Sequence, residues 1–284
     1  MKALWLGILT VREAILKGTL LAYFIVGNLI LVFLALAISA SVQDGVVVLS
    51  IFGQPFTPPV PEGYHVLDFL LYQIFQSSLS AIILLGVFAT AGLIPSMLEK
   101  GTVELYLSKP LSRSSLLLSR AVGACGGIAV NILYFALGIW LLFGIKAGIW
   151  PSNFVLASAV AGVVFFFYYS VVALVAVISR STGFSIMFAF LFSFFSSAME
   201  LREQTLFRWW DNPIFHRFLD ALYYATPQLS AMDRNAASLI MTIPFPHAAS
   251  AVSASFSITP FIYSFLAASF LYGLAIWYFS RQDY

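Results

Sequence analysis

The chain has 284 residues, of which 61% are hydrophobic and only 9% charged, and its formal net charge is +2. Soluble domains carry about 25% charged residues, so this composition excludes an ordinary soluble protein and indicates a polytopic membrane protein. The small net charge gives no basis for nucleic-acid binding. The single cysteine, Cys125, excludes an intramolecular disulfide.

Residues 1–18 predict an amphipathic helix at the membrane surface. Leu4, Ile8, Val11 and Ile15 recur at helical spacing, and the charged residues lie mostly elsewhere on the helix. Such a helix places its apolar face in the acyl boundary and its charges among the headgroups. The alternative is a plain extension of the first span. A cleavable signal is not expected, because the next apolar run is longer than the core of such a signal.

Long apolar segments predict an all-α polytopic membrane protein with one membrane domain over residues 1–284. Hydrocarbon offers no partner for backbone N–H and C=O groups, and the segments are too long and too evenly apolar for barrel strands. Each should therefore be a transmembrane helix. The six candidate spans cover residues 19–41, 69–94, 115–144, 153–178, 183–200 and 260–280.

Lysine and arginine residues in the short flanks predict the orientation of the spans. Cytoplasmic segments are enriched in these residues, and here they concentrate in alternate segments, which predicts that both termini are cytoplasmic. Lys146 is the exception, in a connection predicted to be external. The residues that define the cytoplasmic segments are Lys2, Arg12, Lys17, Lys100, Lys109, Arg113, Arg180 and Arg281.

The first external connection, residues 42–68, differs in character from the rest of the chain. Gly45 and the β-branched run 46–48 are followed by Gly53 and several prolines. This pattern predicts a short strand or hairpin and then an extended proline-rich stretch. No chemistry is indicated there.

Segment 95–113 holds a cluster of charges between two apolar runs. Each charge would cost about 2.5 to 3.5 kcal/mol at the bilayer centre, so the segment must lie outside the hydrocarbon. We expect Pro95 to close the second span and a short helix to follow along the cytoplasmic surface, ending before Pro110. Ser112 or Ser114 is placed to cap the third span.

Polar groups inside the spans are sparse. Gln73, Gln76 and Asn131 are candidates to line a translocation pathway, although hydrogen bonding between helices is the commoner role of such residues. Gly123 and Gly127 form a G-x-x-x-G face that predicts close packing of helices. We see no central carboxylate or histidine for a proton or ion relay, which argues against an ion-coupled carrier.

The long segment 201–259 carries both signs of charge although it is predicted to be external. A long balanced loop can cross the membrane regardless of its charges. Residues 214–224 show helical spacing and residues 235–247 are apolar enough to enter the interface, so we expect external or re-entrant helices. The alternative is a miscount at the short fifth span, which would place this segment in the cytoplasm.

The sequence offers no catalytic, metal or nucleotide site. Glu99 and Glu104 have no accompanying histidine or nucleophile, and the three histidines lack ligand spacing. No G-x-x-x-x-G-K-[ST] loop is present, so a nucleotide would have to be handled by another chain.

From Glu99 to Leu118 the sequence EKGTVELYLSKPLSRSSLLL resembles a pattern of ABC-2 type transporter permeases, the membrane subunits of ATP-driven exporters. The order of an amphipathic helix, six spans and a long segment before the last span is similar too. Tyr223, Tyr224, Pro227 and Leu229 resemble a further motif of some members.

The resemblance implies that residues 96–108 form a coupling helix that docks on an ATP-binding subunit, in the cytoplasmic (inner) membrane of a bacterium. Glu99 and Glu104 would face basic groups of that partner, and Gly101 would permit a tight approach. It also implies two permease subunits, identical or related, with two ATP-binding subunits that hold the ATP and Mg²⁺, and no cofactor on this chain. The open alternatives are a solvated loop without a partner and a stand-alone carrier or channel. The coupling residues would be Glu99, Lys100, Gly101, Thr102, Glu104, Ser108 and Arg113.

Overall fold

Helices dominate the structure, a computed structural model that describes residues 2–43, 46–56, 66–99, 101–102, 112–209, 212–240 and 256–282. Among these residues, six helices are long and apolar enough to cross a membrane, in agreement with a polytopic membrane protein of the all-α class. The helices are α1 (Lys2–Leu16), α2 (Thr19–Ala37), α3 (Val66–Thr90), α4 (Leu93–Met97), α5 (Arg113–Ala147), α6 (Ser152–Ser179), α7 (Thr182–Glu200), α8 (Leu206–Trp209), α9 (Pro213–Ala225), α10 (Leu229–Ser238) and α11 (Thr259–Ser280).

A small antiparallel sheet follows α2, where the β-branched pattern predicted a strand or hairpin. Its strands are β1 (Ile38–Gln43), β2 (Val46–Ile51) and β3 (Gln54–Pro55), in the order β1-β2-β3. The register pairs Ile38 with Ile51. The predicted hairpin is confirmed, and it is the one departure from an all-helical fold among the described residues.

The core of the bundle is built around α6, which packs against α5, α7, α10 and α11. Its middle carries three aromatic residues, Phe165, Tyr168 and Tyr169, none of which has solvent-accessible surface. Tyr169 donates a hydrogen bond to the backbone oxygen of Thr90 at 3.2 Å, and Tyr168 donates one to that of Ala189 at 2.5 Å. These bonds satisfy the buried hydroxyl groups and fix α6 against α3 and α7.

Helix α1 crosses the first half of α5 at very short range. A Cβ atom added to Gly123 would lie 2.6 Å from the backbone oxygen of Gly7 and 2.8 Å from Cβ of Thr10. A Cβ atom added to Gly127 would lie 3.1 Å from Cδ1 of Leu20, a residue of α2. The predicted close-packing face of α5 is therefore confirmed, and it packs within this chain.

The bundle has two chemically different ends. At one, the α1 end, Ser96 lies beside Glu13, and Arg180 donates a hydrogen bond to Gln282 Oε1 at 2.8 Å. At the opposite end, the sheet end, Lys146 Nζ donates to the backbone oxygens of Ala35 and Ile38. Lys146 thus satisfies carbonyls at the C-terminal end of α2, a position that favours a cation. This role explains the basic residue of a short connection that departed from the predicted charge asymmetry.

The second predicted span ends differently from the expectation. Helix α3 stops at Thr90, and Pro95 lies inside α4 instead of closing the span. Pro95 and Met97 are buried, because α4 packs between α5 and α6. The predicted surface helix from Ser96 therefore does not begin there: Ser96 and Met97 belong to a buried turn of helix.

Candidate functional site

A charged cluster at the α1 end joins three helices. Glu13 of α1 forms ion pairs with Lys17 at 2.8 Å and with Arg120 of α5, and it accepts a hydrogen bond from Ser96 of α4 at 3.4 Å. Arg120 is 4% exposed, so its charge is held inside the protein beside the Glu13 carboxylate. Burial raises the pKa of Glu13, but the hydrogen bonds from Lys17 and Arg120 outweigh it and lower that pKa overall. The cluster makes α1 part of the bundle.

Arg113 begins α5 and caps the last helix. Its Nη1 atom donates to the backbone oxygens of Phe279 at 3.3 Å, Ser280 at 3.0 Å and Gln282 at 2.6 Å. These carbonyls at the end of α11 have no partner within that helix, and a cation there also favours the helix dipole. The predicted partner-coupling residue Arg113 thus has an intramolecular role. Ser112 caps α5 by accepting from the Ser115 N–H at 3.2 Å, as predicted.

The predicted coupling segment leaves the bundle at the α1 end. Glu99 is exposed, and its backbone oxygen accepts a hydrogen bond from the Thr102 N–H at 3.1 Å. Gly101 closes this turn with φ of +88°, and a Cβ atom there would meet no atom within 4 Å. Its left-handed backbone, and not a close approach within the chain, accounts for glycine. Lys100, Glu104 and Ser108 lie outside the described residues.

Charges of the predicted external segment form ion pairs at the sheet end, both with one another and with Glu200 of α7. Arg202 is buried, donates to Asp220 Oδ1 at 2.7 Å and lies 4.0 Å above the ring of Tyr223. Arg234 pairs with Glu200, which also accepts a hydrogen bond from Tyr223 at 3.0 Å. In each pair the partner offsets part of the free-energy cost of taking the charge out of water. The segment can therefore carry several arginines although the positive-inside rule predicts few basic residues outside the cytoplasm.

Helix α10 enters the bundle from the sheet end. The Gln228 N–H donates to Ser264 Oγ of α11 at 2.9 Å, and the Ser230 N–H donates to Ser196 Oγ of α7 at 3.3 Å. The first N–H groups of a helix have no partner within it. These two hydroxyl oxygens supply partners, so the start of α10 can be buried without leaving these N–H groups unpaired. The polar residues of α10 therefore lie beside α3 and α7.

A cleft of about 400 Å³ lies between α3, α7 and α10. Its apolar side includes Phe190 and Phe194 of α7, which are also exposed on the outer surface of the bundle. The cleft therefore has one polar wall and one apolar wall that continues toward lipid. The polar wall is formed by Gln76, Ser193, Ser197, Glu200, Ser230, Asp233 and Arg234.

Asp233 is the acidic group of this wall without an ion-pair partner among the described residues. Its Oδ1 atom is inaccessible to solvent and has no hydrogen-bond partner in the described part of the chain. Burial raises the pKa of Asp233 to about 7. Asp233 was not among the candidates from sequence, because it lies on a short helix outside the long apolar spans, and the hydropathy of the spans does not reveal it.

The three predicted pathway residues do not form one site. Gln76 lines the cleft, and its Nε2 atom donates to Tyr72 Oη at 3.0 Å. Asn131 lies instead beside α2, where its Nδ2 atom donates to the backbone oxygen of Gly127 at 3.0 Å. Gln73 is exposed on α3.

Comparison with known proteins identifies no relative: no family model matches the chain, and no curated protein and no solved structure matches it.

Proposed function

We propose that this chain is the membrane permease subunit of an ATP-driven exporter of the ABC-2 type. The observation that carries the proposal is the pattern from Glu99 to Leu118, which leaves the bundle at the end where α1 is joined to α4 and α5. A partner that docks on this pattern would touch a segment mechanically continuous with α3 and α5. Two permease subunits would enclose the pathway, and two ATP-binding subunits would supply ATP and Mg²⁺.

The two-ended distribution of charge supports an orientation with the α1 end in the cytoplasm. In the short connections, Lys17, Arg113, Arg180 and Arg281 lie at that end, and Lys146 lies at the sheet end, where it caps α2. The sheet end also holds arginines of the long segment 201–259, which the rule counts weakly, and Arg202 and Arg234 are paired there with carboxylates. By the positive-inside rule, both termini and the proposed docking segment are cytoplasmic. In that orientation a bacterial inner-membrane permease would present residues 99–113 to an ATP-binding subunit.

The ion pair between Glu13 and Arg120 supports a role for α1 in transmitting movement. Removing one partner of a partly buried ion pair of this kind costs about 2 to 3 kcal/mol, so α1 and α5 should move together. Force applied to the docking segment at the start of α5 would then reach α1 at the membrane surface, and α2 through its short connection to α1.

The test is co-purification of the chain from its native membranes with a subunit that carries a nucleotide-binding loop. We expect such a subunit to co-elute with the wild type and to be lost from the double variant Glu99→Lys, Glu104→Lys. The matched control is Glu203→Lys, a reversal at the sheet end where the side chain is 73% exposed, which should retain the subunit. Transport by the purified chain without any nucleotide-binding partner would reject the proposal.

A stand-alone secondary carrier is the second candidate, and Asp233 is the observation that favours it. An ionisable residue in a membrane-facing bundle often marks an ion or proton pathway. The two candidates differ in their energy source: a carrier reconstituted alone would move its cargo on a proton gradient without ATP, and a permease subunit would not.

A further inference from the structure

We propose that the cleft of α3, α7 and α10 binds the primary ammonium group of an amphipathic ligand, with Asp233 as its counter-ion. The inference deepens the proposed function, on which it rests, by naming a class of cargo. It begins from the charges of the wall: Arg234 pairs with Glu200, whereas Asp233 has no cationic partner among the described residues. An ionised Asp233 leaves this wall with an excess negative charge, which a ligand cation would neutralise.

The hydrogen bonds that neighbouring side chains already make leave acceptor atoms free, and these favour a ligand that donates hydrogen bonds. Tyr168 Oη donates to the backbone oxygen of Ala189, so in its 3.1 Å contact with Ser193 the serine is the donor. Ser193 Oγ is then left as an acceptor. Gln76 uses its amide N–H toward Tyr72, and its amide oxygen has no donor among the described residues. Together with the carboxylate of Asp233, which lines the cleft, these atoms form a set of acceptors, and a primary ammonium carries three N–H donors.

The rest of the cleft fits an apolar tail. Ile83 and Leu84 of α3 face Phe190 and Phe194 of α7, whose rings lie 5.2 Å apart. Phe190 is 42% exposed and Phe194 64% exposed, on a helix whose surface is turned mainly outward. A ligand could enter sideways from the bilayer, place its ammonium group at Asp233 and keep its tail against these rings. A hydrophobic small amine and the headgroup of an aminophospholipid share this chemistry.

The first test measures binding of dansylcadaverine, a fluorescent apolar group with a primary amine, to the purified full-length chain in detergent. The matched neutral probe is N-pentyl dansylamide, hereafter dansylamide, which keeps the dansyl group and the five-carbon chain but lacks the terminal amine. We expect dansylcadaverine to bind at least about tenfold more tightly, because only it supplies a charged donor. Equal affinities for the two probes would overturn the proposal on the wild-type protein alone.

Variants then assign the binding to the cleft. Asp233→Asn keeps the shape of the side chain and should weaken dansylcadaverine at least about tenfold, with no change for dansylamide. Glu203→Gln, which removes an exposed carboxylate at the same end of the protein, should change neither affinity. If Asp233→Asn does not fold, Ser193→Ala replaces it and should weaken dansylcadaverine selectively. Unchanged binding in the folded variant would overturn the assignment.

Competition identifies the source of the amine. Displacement by dodecylamine but not by lysophosphatidylethanolamine would support a hydrophobic small amine, and displacement by both would support an aminophospholipid as well. Displacement by neither would overturn the proposal. The assay contains no ATP and no partner subunit, so its result is independent of whether the chain couples to an ATPase.

Discussion

Replacing Gly123 by alanine tests the crossing of α1 and α5. The added Cβ atom would meet the backbone oxygen of Gly7 at 2.6 Å and Cβ of Thr10 at 2.8 Å, and a backbone atom cannot move aside without shifting α1. Overpacking of this kind costs about 3 kcal/mol at the upper end of its range. Alanine regains about 1 kcal/mol of helix propensity. The net loss of stability is therefore about 2 kcal/mol.

Gly126 on the same helix is the matched control, because a Cβ atom there meets nothing within 4 Å. Gly126→Ala should gain up to about 1 kcal/mol, so the two alanine variants should differ by about 3 kcal/mol. In thermal unfolding followed by tryptophan fluorescence in detergent, Gly123→Ala should melt below the wild type and Gly126→Ala at or above it. Equal melting temperatures for the two variants would refute the crossing.

Three other substitutions probe the ends of the bundle and the cleft. Glu13→Gln deprives the buried Arg120 of its carboxylate and should destabilise the protein by about 2 to 3 kcal/mol in thermal unfolding, against less than about 1 kcal/mol for the exposed Lys17→Gln. The lowered pKa of Glu13 means that this difference persists at neutral pH and vanishes as pH falls through that pKa. Arg113→Ala should cost about 1 to 2 kcal/mol and increase hydrogen exchange at the end of α11, whereas unchanged exchange would contradict its capping role. Burial raises the pKa of Asp233 to about 7, so the wild type loses stability as pH rises toward that value. Asp233→Asn should therefore raise the melting temperature more at pH 8.5 than at pH 5. An equal gain at the two pH values would contradict the burial of the carboxyl group.

The apolar spans could be predicted from sequence because each is a local property. Hydrocarbon forces a run of apolar residues such as 152–179 to become a helix, whatever its neighbours are. The Ser112 cap and the hairpin near Gly45 were predictable for the same reason, since they depend on residues close in the chain. Gly123 was marked by its spacing, although its partner Gly7 was not.

The charged contacts could not be predicted, because they join residues that are remote in sequence. Glu13 and Arg120 are separated by 107 positions, and no local pattern says that they meet. The environment of Asp233 could not be predicted either, because it depends on helices that are remote in sequence. In the sequence Asp233 is one acid in a balanced polar segment, and only the insertion of α10 beside Gln76 removes its Oδ1 atom from solvent.

The position of Pro95 shows where a local rule was overridden. Proline after an apolar run usually marks the end of a helix, and here it lies in the first turn of α4, where its missing N–H costs nothing. Tertiary packing of α4 on α5 and α6 then buries it. Ser96 and Met97 therefore belong to a helical turn packed on α5 and α6, and the rest of the predicted surface helix, from residue 103, lies outside the described residues.

The most direct test of the account is the ATP hydrolysis that accompanies the purified protein. Complexes isolated from native membranes should hydrolyse ATP when the chain is wild type or carries Glu203→Lys. The same isolation with Glu99→Lys and Glu104→Lys should yield folded permease with hydrolysis reduced to background. Equal ATP hydrolysis in all three preparations, or cargo transport by the chain alone without nucleotide, would contradict the assignment of this protein as an ATP-coupled permease.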